Sequence, residues 1–351
     1  MELINKILSE KLILAMKMTH QEKVWHREDD VFTHTVMVLN EVEKLDIIES
    51  DKDILRYVAV LHDIGKTITT TEENGILRSH KHSEKSYSMA IPILDKLDLD
   101  FLIKFQILNL IKYHGRPLFI CEKSEPEREI IFLSQNCRLD LLYYFSSCDF
   151  LGRIADDIPE SLYKIDFLKL YAIDLDCFDK PYNFSNKITK FNYLVKRTHH
   201  FSDVAFDDTK SHIHIMCGLP GAGKDYYINK NFDIPVISLD KIRDELGIKP
   251  TEKQGKVIQH AKELAKTYMR KSQSFVWNAT NITKKMRNEL ISFFLIYNSY
   301  ITIHYVYKPI DIILQQNLQR EDCVPNDVVL RLYRKMEIPT LDEAHEVIYQ
   351  R

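Results

Sequence analysis

Two groups of residues in this 351-residue chain have the types and spacing that phosphate chemistry requires. One is the glycine-rich stretch CGLPGAGKD, residues 217–225, and the other is a set of histidines and aspartates spread over residues 34–149. Backbone N–H groups of a glycine-rich turn can surround phosphate oxygens, and imidazole and carboxylate groups are ligands of divalent metals. The sequence therefore predicts one nucleotide-binding site and one metal-dependent site.

The glycine-rich loop lies between a predicted strand and a predicted helix, which is the setting of a phosphate-binding loop. The residues expected to contact the nucleotide are Gly218, Leu219, Pro220, Gly221, Ala222, Gly223, Lys224 and Asp225. Lys224 is expected to reach the β- and γ-phosphates. Position 225 is ordinarily Ser or Thr, whose hydroxyl holds magnesium. Because a carboxylate is also a good magnesium ligand, we expect Asp225 to hold the ion; the alternative is that Asp225 weakens metal binding and another residue or solvent compensates.

Charged residues farther along the chain follow the later predicted strands. Asp240 and Arg243 lie one helical turn apart, just after the second strand of the C-terminal half, where a carboxylate can accept a hydroxyl proton. The alternative role for Asp240 is a helix N-cap. Arg320 precedes a helix that begins with proline and could close over the phosphates as a lid. These residues predict phosphoryl transfer rather than nucleotide binding alone.

The stretch from about residue 212 to 345 resembles the 5′-OH polynucleotide kinase family of P-loop phosphotransferases. The resemblance rests on GLPGAGKD, Asp240-x-x-Arg243, Thr280–Asn281, Arg320, and the V-P-x-x-V-x-x-x-x-Y-x-x-M run from Val324 to Met336. It implies that Asp240 is the general base for a 5′-OH and that Arg243 contacts the acceptor phosphate. It also implies that Lys224 and Arg320 stabilise the transferred phosphoryl group. The chain departs from the family at Asp225 and at Gln316, where a second lid arginine would be expected.

The N-terminal half carries its histidines and aspartates in separate short motifs. They are FTHTVMV with His34, AVLHDIGK with His62 and Asp63, SHKHSEKS with His80 and His82, IKYHGRP with His114, and FSSCDFLGR with Asp149. Such nitrogen and oxygen donors suit manganese, iron, cobalt, nickel, copper or zinc. A single histidine in a helix is most often structural, and this is the interpretation given to His20, His26, His199 and His200.

Taken in order, the motifs H … HDIGK … H-x-E … H-x-R-P … D-x-x-G-R over about residues 28–155 resemble the HD-domain phosphohydrolase superfamily. The resemblance implies that one metal is held by His34, His62, Asp63 and Asp149. His82 and His114 would complete a second metal, with His80 as the rival of His82. Asp63 would also orient the attacking water, and Lys66 would contact the leaving phosphate or a metal-bound hydroxide. Arg116 and Arg153 are either phosphate contacts or partners of nearby carboxylates, and the number of metals stays open.

The elements that must position these residues differ between the two halves. Residues 31–48, 53–62, 84–97, 99–113 and 128–148 have apolar side chains at helical spacing. Short apolar runs at 212–218, 234–240, 274–280 and 301–307 alternate with helical stretches at about 224–230, 251–271, 283–297 and 309–320. This alternation is typical of a parallel sheet covered by helices. The sequence therefore predicts an all-α domain over residues 1–205 and an α/β P-loop domain over residues 206–351.

Composition and charge limit the classes of protein to which the chain could belong. The net charge of −3 disfavours a strongly basic nucleic-acid binder but permits a local basic surface. Lys284, Lys285 and Arg287 could form such a surface, or simply an exposed helix face. The first sixteen residues are amphipathic, unlike the uncharged apolar core of a signal peptide. The six scattered cysteines predict no disulfide framework, so we expect a cytoplasmic protein.

The two motif sets together are similar to the bacterial HD-Pnk family, in which an HD phosphohydrolase domain is fused to a polynucleotide kinase domain. That resemblance implies an RNA end-healing enzyme that phosphorylates 5′-OH ends with ATP and Mg²⁺. It would also hydrolyse 2′,3′-cyclic phosphate and 2′-phosphate ends with a transition metal such as Mn²⁺, Ni²⁺, Co²⁺, Cu²⁺ or Zn²⁺. The implied partners are RNA ends, with DNA 5′-OH ends and an RNA ligase as further candidates.

Two other functions fit the same motifs. The chain could be an HD nucleotide phosphohydrolase coupled to a small-molecule kinase, which would turn over free nucleotides without regard to oligonucleotide length. Alternatively, a non-catalytic P-loop domain could sense ATP and gate the HD site. A sensor has no need of a general base and a lid arginine, so Asp240 and Arg320 favour a kinase.

Overall fold

The computed structural model describes residues 2–195, 197–198, 200–320 and 322–350. The chain forms two compact units, Met1–Asn183 and Phe184–Arg351. The first unit is helical and the second is a parallel sheet covered by helices, which confirms the predicted fold class. Among the described residues, no helix combines the length and the apolar character needed to cross a membrane.

The N-terminal unit is a set of short helices with one β-hairpin. Its elements are α1 (Glu2–Ile7), α2 (Glu10–Lys17), α3 (Val31–Glu43), α4 (Glu49–Leu61), α5 (Lys66–Thr69), β1 (Thr70–Glu73), β2 (Ile76–Ser79), α6 (His82–Leu94), α7 (Phe101–Tyr113), a 3₁₀ helix (Pro117–Glu122), α8 (Pro126–Asn136), α9 (Leu139–Leu151) and α10 (Ile158–Asp174).

Four of these helices, α3, α4, α7 and α9, pack against one another in the centre of the unit. Their facing side chains, among them Val38, Val58, Ile107 and Phe145, are fully buried. Burying one such side chain contributes roughly 1.5–3 kcal/mol to folding. The start of α3 is fixed by Asp30, whose carboxylate accepts a hydrogen bond of 2.9 Å from the Thr33 backbone N–H. This packing holds the helix ends that carry the predicted metal ligands.

Three local features differ from the sequence prediction. The predicted helix at 128–148 is two helices, α8 and α9, because the chain turns at Arg138, whose guanidinium pairs with Asp51 and Asp140. The amphipathic pattern of the first sixteen residues predicts one surface helix, but the segment forms two helices, α1 and α2, with Ser9 as the N-cap of α2. The hairpin of β1 and β2 was not predicted, since its residues are mostly polar and exposed.

The C-terminal unit contains a five-stranded parallel sheet in the order β4-β5-β3-β6-β7. Its elements are α11 (Lys187–Leu194), β3 (Ser211–Cys217), α12 (Lys224–Asn231), β4 (Val236–Ser238), α13 (Leu239–Glu245), α14 (Gly255–Arg270), β5 (Phe275–Asn278), α15 (Lys284–Leu295), β6 (Ser299–Val306), α16 (Ile310–Leu318), α17 (Asn326–Tyr333) and β7 (Glu346–Gln350). The four predicted strands correspond to β3, β4, β5 and β6, whereas β7 was not predicted.

The strand order decides which loops meet. β3 lies between β5 and β6, and Ser238 at the end of β4 is the partner of Asn278 at the end of β5. In a parallel sheet all strands end at the same edge, where ligands bind. The glycine-rich loop after β3 and the residues after β4 and β5 therefore share one edge.

The division between the units lies before the boundary predicted at residues 205 and 206. The helix α11 belongs to the second unit, because Lys187 pairs with Glu346 and the Phe191 ring lies 4.2 Å from the His345 ring. The prediction used the polar stretch at 198–211, where periodicity is weak, as a linker. That stretch leads from α11 to β3 within the second unit.

Candidate functional sites

Six predicted metal ligands converge in the N-terminal unit. His34 lies on α3, Asp149 lies on α9, and His82 is the first residue of α6. His62 and His114 are the residues that follow the last turns of α4 and α7, and Asp63 comes next to His62. The side chains of His34, His62, Asp63 and His114 are buried. The site is thus assembled from the ends and inner faces of five helices.

The distances divide the cluster into two overlapping sets. In the first, His34 Nε2 lies 2.9 Å from Asp149 Oδ1, and His62 Nε2 lies 3.3 Å from Asp63 Oδ2. In the second, His82 Nε2 lies 3.4 Å from Asp63 Oδ1 and 3.4 Å from His114 Nε2. Ligand atoms of His34, His62 and Asp63 fall within 4.8 Å of one another, and so do those of Asp63, His82 and His114. Asp63 belongs to both sets.

Three of the histidine rings are oriented by the same kind of local hydrogen bond. Nδ1–H donates to the carbonyl three residues earlier, from His62 to Ala59 at 2.9 Å, from His82 to Ser79 at 3.0 Å, and from His114 to Ile111 at 2.7 Å. A carbonyl can only accept, so Nδ1 carries a proton and Nε2 is the nitrogen that faces the cluster. When Nε2 is unprotonated, its lone pair is directed at the cluster, as metal ligation requires.

The cluster has the donor set and the unsatisfied atoms of a metal site. His62 Nε2 and Asp63 Oδ1 are buried, and neither has a hydrogen-bond partner among the described residues. A buried polar atom left without a partner costs about 1–3 kcal/mol, a cost that a bound cation removes. Imidazole nitrogen and carboxylate oxygen fit a divalent transition metal. The residues present therefore fit the metal that the sequence predicts.

The protonation states also suit a metal. Burial raises the pKa of Asp63, but Lys66 and His62 outweigh it and hold that pKa well below its usual value. Burial lowers the pKa of His62, but Asp63 and Asp149 raise it to about 10. Burial lowers the pKa of His82 to about 4. At neutral pH, Asp63 is a carboxylate and His82 is neutral, whereas His62 must release its proton when a metal binds.

Two motif glycines allow the elements to approach. A Cβ at Gly65 would lie 2.4 Å from the His82 carbonyl oxygen, and one at Gly152 would lie 2.6 Å from the Val38 Cα. Gly65 therefore brings the turn after Asp63 against the start of α6, and Gly152 brings the end of α9 against α3. The first contact brings Asp63 close to His82, and the second brings Asp149 close to His34.

The structure separates His80 from His82. The His80 side chain is 65% exposed and faces Glu73 at 3.4 Å, whereas His82 lies beside Asp63. Lys66 is buried, with Nζ 2.7 Å from Asp63 Oδ2 and donating to Gln21 Oε1 at 2.7 Å.

The two arginines predicted as phosphate contacts or carboxylate partners are found with carboxylates. Arg116 pairs with Glu129, and Arg153 donates to Asp157 at 2.8 Å. In this structure both side chains have the second of their two predicted roles.

Sequence reasoning missed a group of residues in the segment between α2 and α3. Glu28 is fully buried and lies between two histidines, with Oε1 2.7 Å from His26 Nδ1 and 3.1 Å from His34 Nδ1. His26 was interpreted as a structural histidine, yet its ring lies 4.9 Å from the ring of His34. The available signal was the His26-x-Glu28 spacing just before α3. His20 and His200 are exposed, and His199 lies outside the described residues.

The second site is the glycine-rich loop after β3. Gly218, Gly221 and Gly223 have φ of 151°, 82° and 96°, values that side chains rarely adopt. Leu219 and Ala222 are buried, and Pro220 is half-buried. Lys224 begins α12, and its Nζ donates to the carbonyls of Gly218 at 3.1 Å and Leu219 at 2.9 Å. The lysine therefore lies across the loop in which phosphates are expected.

Asp225 has a defined partner. It lies in the first turn of α12 and is exposed, and its Oδ1 accepts a hydrogen bond of 2.7 Å from Asn278 Nδ2. Asn278 ends β5, so the bond ties the loop to the neighbouring strand. This bond fixes the orientation of the carboxylate and involves only one of its two oxygens.

Asp240 lies at the same sheet edge. Its side chain is 77% exposed and pairs with Arg243, whose Nε donates to Gln254 at 2.8 Å. Ser238, not Asp240, caps α13, because the Ser238 hydroxyl accepts from the Lys241 N–H. The alternative that Asp240 is an N-cap is therefore wrong.

Arg320 follows α16 and lies close enough to Lys224 to affect its titration. Burial lowers the pKa of Lys224 and the charge of Arg320 adds to this, whereas Asp225 and Asp240 act in the opposite direction. The connection after α16 is held by the buried Asn317, which donates to the Val324 carbonyl at 2.6 Å and accepts from its N–H at 3.1 Å. Gln316, at the position of the absent second arginine, lies one turn before Arg320 and is half-buried.

Arg287 is not part of a basic surface. It is fully buried, and its guanidinium makes two bonds to Glu343, of 2.7 Å and 2.9 Å. Lys284 pairs with Asp342 at 3.1 Å, and Lys285 is exposed. Asn281, which was predicted from the family motif, is buried and donates to the Met216 carbonyl at 2.7 Å. The interpretation of Arg287 as a nucleic-acid contact is wrong, because its side chain is fully buried and its guanidinium is bonded to Glu343.

Comparison with known families agrees with this division. Residues 31–138 match a family model described as HD domain, and residues 213–339 match one described as AAA domain. The N-terminal unit therefore contains an HD domain and the C-terminal unit a P-loop domain.

Similar proteins match parts of the chain. The L-seryl-tRNA(Sec) kinase of Methanococcus maripaludis is 25% identical over 134 residues, which are 36% of this chain and 52% of that kinase. The multifunctional CCA protein of Pasteurella multocida is 40% identical over 63 residues, 18% of this chain and 14% of that protein. This chain therefore spans about half the length of the first relative and a small part of the second. A solved structure described as a candidate kinase from Chloroflexus aurantiacus has a TM-score of 0.35 and 16% identity, covering 40% of this chain and 88% of that one.

Proposed function

We propose that the chain is a bifunctional RNA end-healing enzyme. Its HD unit would hydrolyse 2′,3′-cyclic phosphate and 2′-phosphate ends, and its P-loop unit would phosphorylate 5′-OH ends. One observation carries the proposal. The chain holds a His/Asp cluster with unsatisfied ligand atoms together with a P-loop that has an exposed carboxylate, Asp240, beside it. The first set removes phosphate esters and the second transfers phosphate to a hydroxyl.

In the HD unit, His34, His62, Asp63 and Asp149 would hold one divalent ion, and His82 and His114 would complete a second with Asp63. Such ions, of which Mn²⁺, Ni²⁺, Co²⁺, Cu²⁺ and Zn²⁺ fit the donor set, activate water and polarise a phosphoryl oxygen. Asp63 orients the water that attacks phosphorus. The bond from phosphorus to one ribose oxygen breaks, and that oxygen takes up a proton. Lys66, 2.7 Å from Asp63, offsets the charge of the phosphate.

In the P-loop unit, Asp240 would accept the proton of the 5′-OH as its oxygen attacks the γ-phosphorus of ATP. The bond to the β–γ bridging oxygen breaks, and ADP leaves. Lys224 would exchange its two loop carbonyls for phosphate oxygens, and Arg320, whose charge acts on Lys224, would also contact the transferred phosphate. Arg243 would leave Asp240 to contact the acceptor phosphate. Magnesium, with Asp225 as its protein ligand, would neutralise charge between the phosphates.

The partners follow from these reactions. Strand breaks that carry 5′-OH and 2′,3′-cyclic phosphate ends are substrates for both units, and an RNA ligase would consume the product. DNA 5′-OH ends fit the kinase unit equally well by chemistry. We propose that the enzyme acts in the cytoplasm, where its thiols stay reduced.

Phosphate transfer to 5′-OH acceptors of increasing length tests the kinase half. We expect ATP-dependent labelling of an RNA oligonucleotide, little labelling of a free nucleoside, and a loss of about 10²–10⁴-fold in Asp240→Ala, because a general base contributes that much. Glu245→Ala, which removes an exposed carboxylate at the end of the same helix α13, is the matched control. Equal labelling of nucleosides and oligonucleotides would favour a small-molecule kinase. ATP binding without transfer would favour a sensor that gates the HD unit.

A further inference from the structure

A buried carboxylate lies behind the metal cluster, on the side away from the ligand atoms. Glu28 has no exposed side-chain surface, and its Oε2 accepts a hydrogen bond of 2.9 Å from the Ile154 N–H. Its Oε1 lies 3.1 Å from Nδ1 of His34, while Nε2 of the same ring lies 2.9 Å from Asp149. The carboxylate and the cluster therefore contact opposite nitrogens of one imidazole.

We propose that Glu28 is a positioning residue that holds the His34 ring for metal ligation, an inference that rests on the proposed metal site. Nδ1–H of His34 donates to Glu28, with the Gly152 carbonyl at 3.2 Å as a second acceptor. This fixes one proton on Nδ1 and directs Nε2 at Asp63 and Asp149; Nε2 donates to Asp149 at 2.9 Å, and a metal would replace that proton. An anionic acceptor also makes the ring a stronger electron donor than a carbonyl would. His62, His82 and His114 have carbonyl acceptors, so His34 is the ligand with a charged support.

The neighbouring His26 completes the arrangement. Its Nδ1 lies 2.7 Å from the same Glu28 oxygen, so two donors and the Ile154 N–H hold the carboxylate. These bonds keep a buried charge satisfied, which an isolated carboxylate would not be. The competing interpretation is that His26, Glu28 and His34 hold a cation of their own, since their ligand atoms lie within 4.8 Å of one another. The two interpretations predict different numbers of bound ions.

Titration of the full-length, metal-free chain with Co²⁺ alone separates them, with the Co²⁺ absorption spectrum and equilibrium dialysis as readouts. In Glu28→Gln we expect an unchanged number of bound ions and a Kd for Co²⁺ that rises about 10–100-fold, the effect of removing a carboxylate that supports a ligand. Glu28→Asp should recover part of the affinity. Glu22→Gln is the matched control, because Glu22 lies in the same segment and accepts from Leu77 on the hairpin.

Three results would overturn the inference. Unchanged Co²⁺ affinity in Glu28→Gln, with a lower melting temperature of the metal-free chain, would make Glu28 a structural residue. Loss of one bound ion would make the Glu28 cluster a cation site of its own. If the unsubstituted chain binds no Co²⁺, or if Asp63→Ala binds it equally well, the proposed metal site itself is wrong, and the failure is then distinguishable from a failure of Glu28.

Discussion

His80 and His82 are two residues apart and chemically identical, yet their surroundings give them different expected roles. His82 lies 3.4 Å from Asp63, whereas His80 faces Glu73 in solvent. We expect His82→Ala to lower hydrolysis of 2′,3′-cyclic phosphate by at least about 100-fold, because a lost ligand costs more than a lost support. His80→Ala should stay within about twofold of the unsubstituted rate, as for other exposed residues. A larger loss in His80→Ala would contradict the assignment.

Asp225 is the position at which the P-loop departs from its usual sequence. Asn278 donates to one oxygen of Asp225 at 2.7 Å and so fixes the orientation of the carboxylate, which we propose as a magnesium ligand. We expect Asp225→Ala to raise the magnesium concentration for half-maximal kinase activity about tenfold, and Asn278→Ala to raise it less. The measurement is the kinase rate as a function of magnesium at saturating ATP. Asp225→Ser with activity well above that of the unsubstituted chain would contradict this role.

At the scale of elements, the buried pair of Arg287 and Glu343 joins α15 to the segment that leads into β7. Both side chains are almost fully buried, and removing one partner of such a pair costs about 3–5 kcal/mol. We expect Arg287→Met to lower the stability of the C-terminal unit by that amount in thermal or urea unfolding. Lys285→Met, on the exposed side of the same helix, should be nearly neutral. A large rise in KM for RNA with unchanged stability would instead indicate a nucleic-acid contact.

The elements also show which parts of the fold and of the sites could be predicted from the sequence. The His/Asp motifs and the glycine-rich loop were predictable because short local patterns mark them, such as His62–Asp63 directly after α4 and CGLPGAGKD at the end of β3. Glu28 and Asn278 act through contacts with Ile154 and Asp225, which are distant in sequence, so a local signal such as His26-x-Glu28 does not show what these side chains contact. Arginine is usually a surface residue, and Arg287 can be buried because Glu343 pairs with its guanidinium. Strand β7, which was not predicted, is short and begins with a polar residue. It forms by pairing with β6 at the edge of the sheet.

At the scale of the whole molecule, two histidines of the sheet, the buried His304 and the half-buried His214, should make the C-terminal unit sensitive to acid. On one face of the sheet, His214 Nδ1 lies 3.0 Å from His304 Nε2, and His304 Nδ1 lies 3.1 Å from the Tyr227 hydroxyl. Burial, together with neighbouring His212, lowers the pKa of His214 to about 3 and that of His304 to about 4, although Glu346 acts in the opposite direction on His304. Both rings are therefore neutral when folded.

The direction of the pH dependence follows from these values. The unfolded chain takes up protons below about pH 6.5, whereas the folded unit does not. Stability is therefore fully present above pH 6.5 and is lost as the pH falls towards 4. We expect the melting temperature to fall by roughly 5 °C between pH 7 and pH 5, which corresponds to about 1 kcal/mol per histidine after allowance for solvent.

Fluorescence can assign this transition to one unit. Trp277 is buried in the C-terminal unit, and Trp25 is in the N-terminal unit, so a Trp25→Phe chain reports the C-terminal unit alone. His304→Asn should reduce the pH dependence, because it removes one of the groups that titrate. A melting temperature that is constant between pH 7 and pH 5 would contradict the account.

The central claim is that one chain repairs both kinds of RNA end at two separate sites. The most direct measurement is mass spectrometry of one short RNA with a 5′-OH and a 2′,3′-cyclic phosphate, incubated with ATP, Mg²⁺ and a panel of transition metals. We expect a phosphate gained at the 5′ end, lost in Asp240→Ala but kept in Asp63→Ala, and a cyclic phosphate opened, lost in Asp63→Ala but kept in Asp240→Ala. RNA recovered unchanged while ATP binds but stays intact would contradict the kinase assignment and favour an ATP sensor. A cyclic phosphate that stays closed with every metal would contradict the hydrolase assignment.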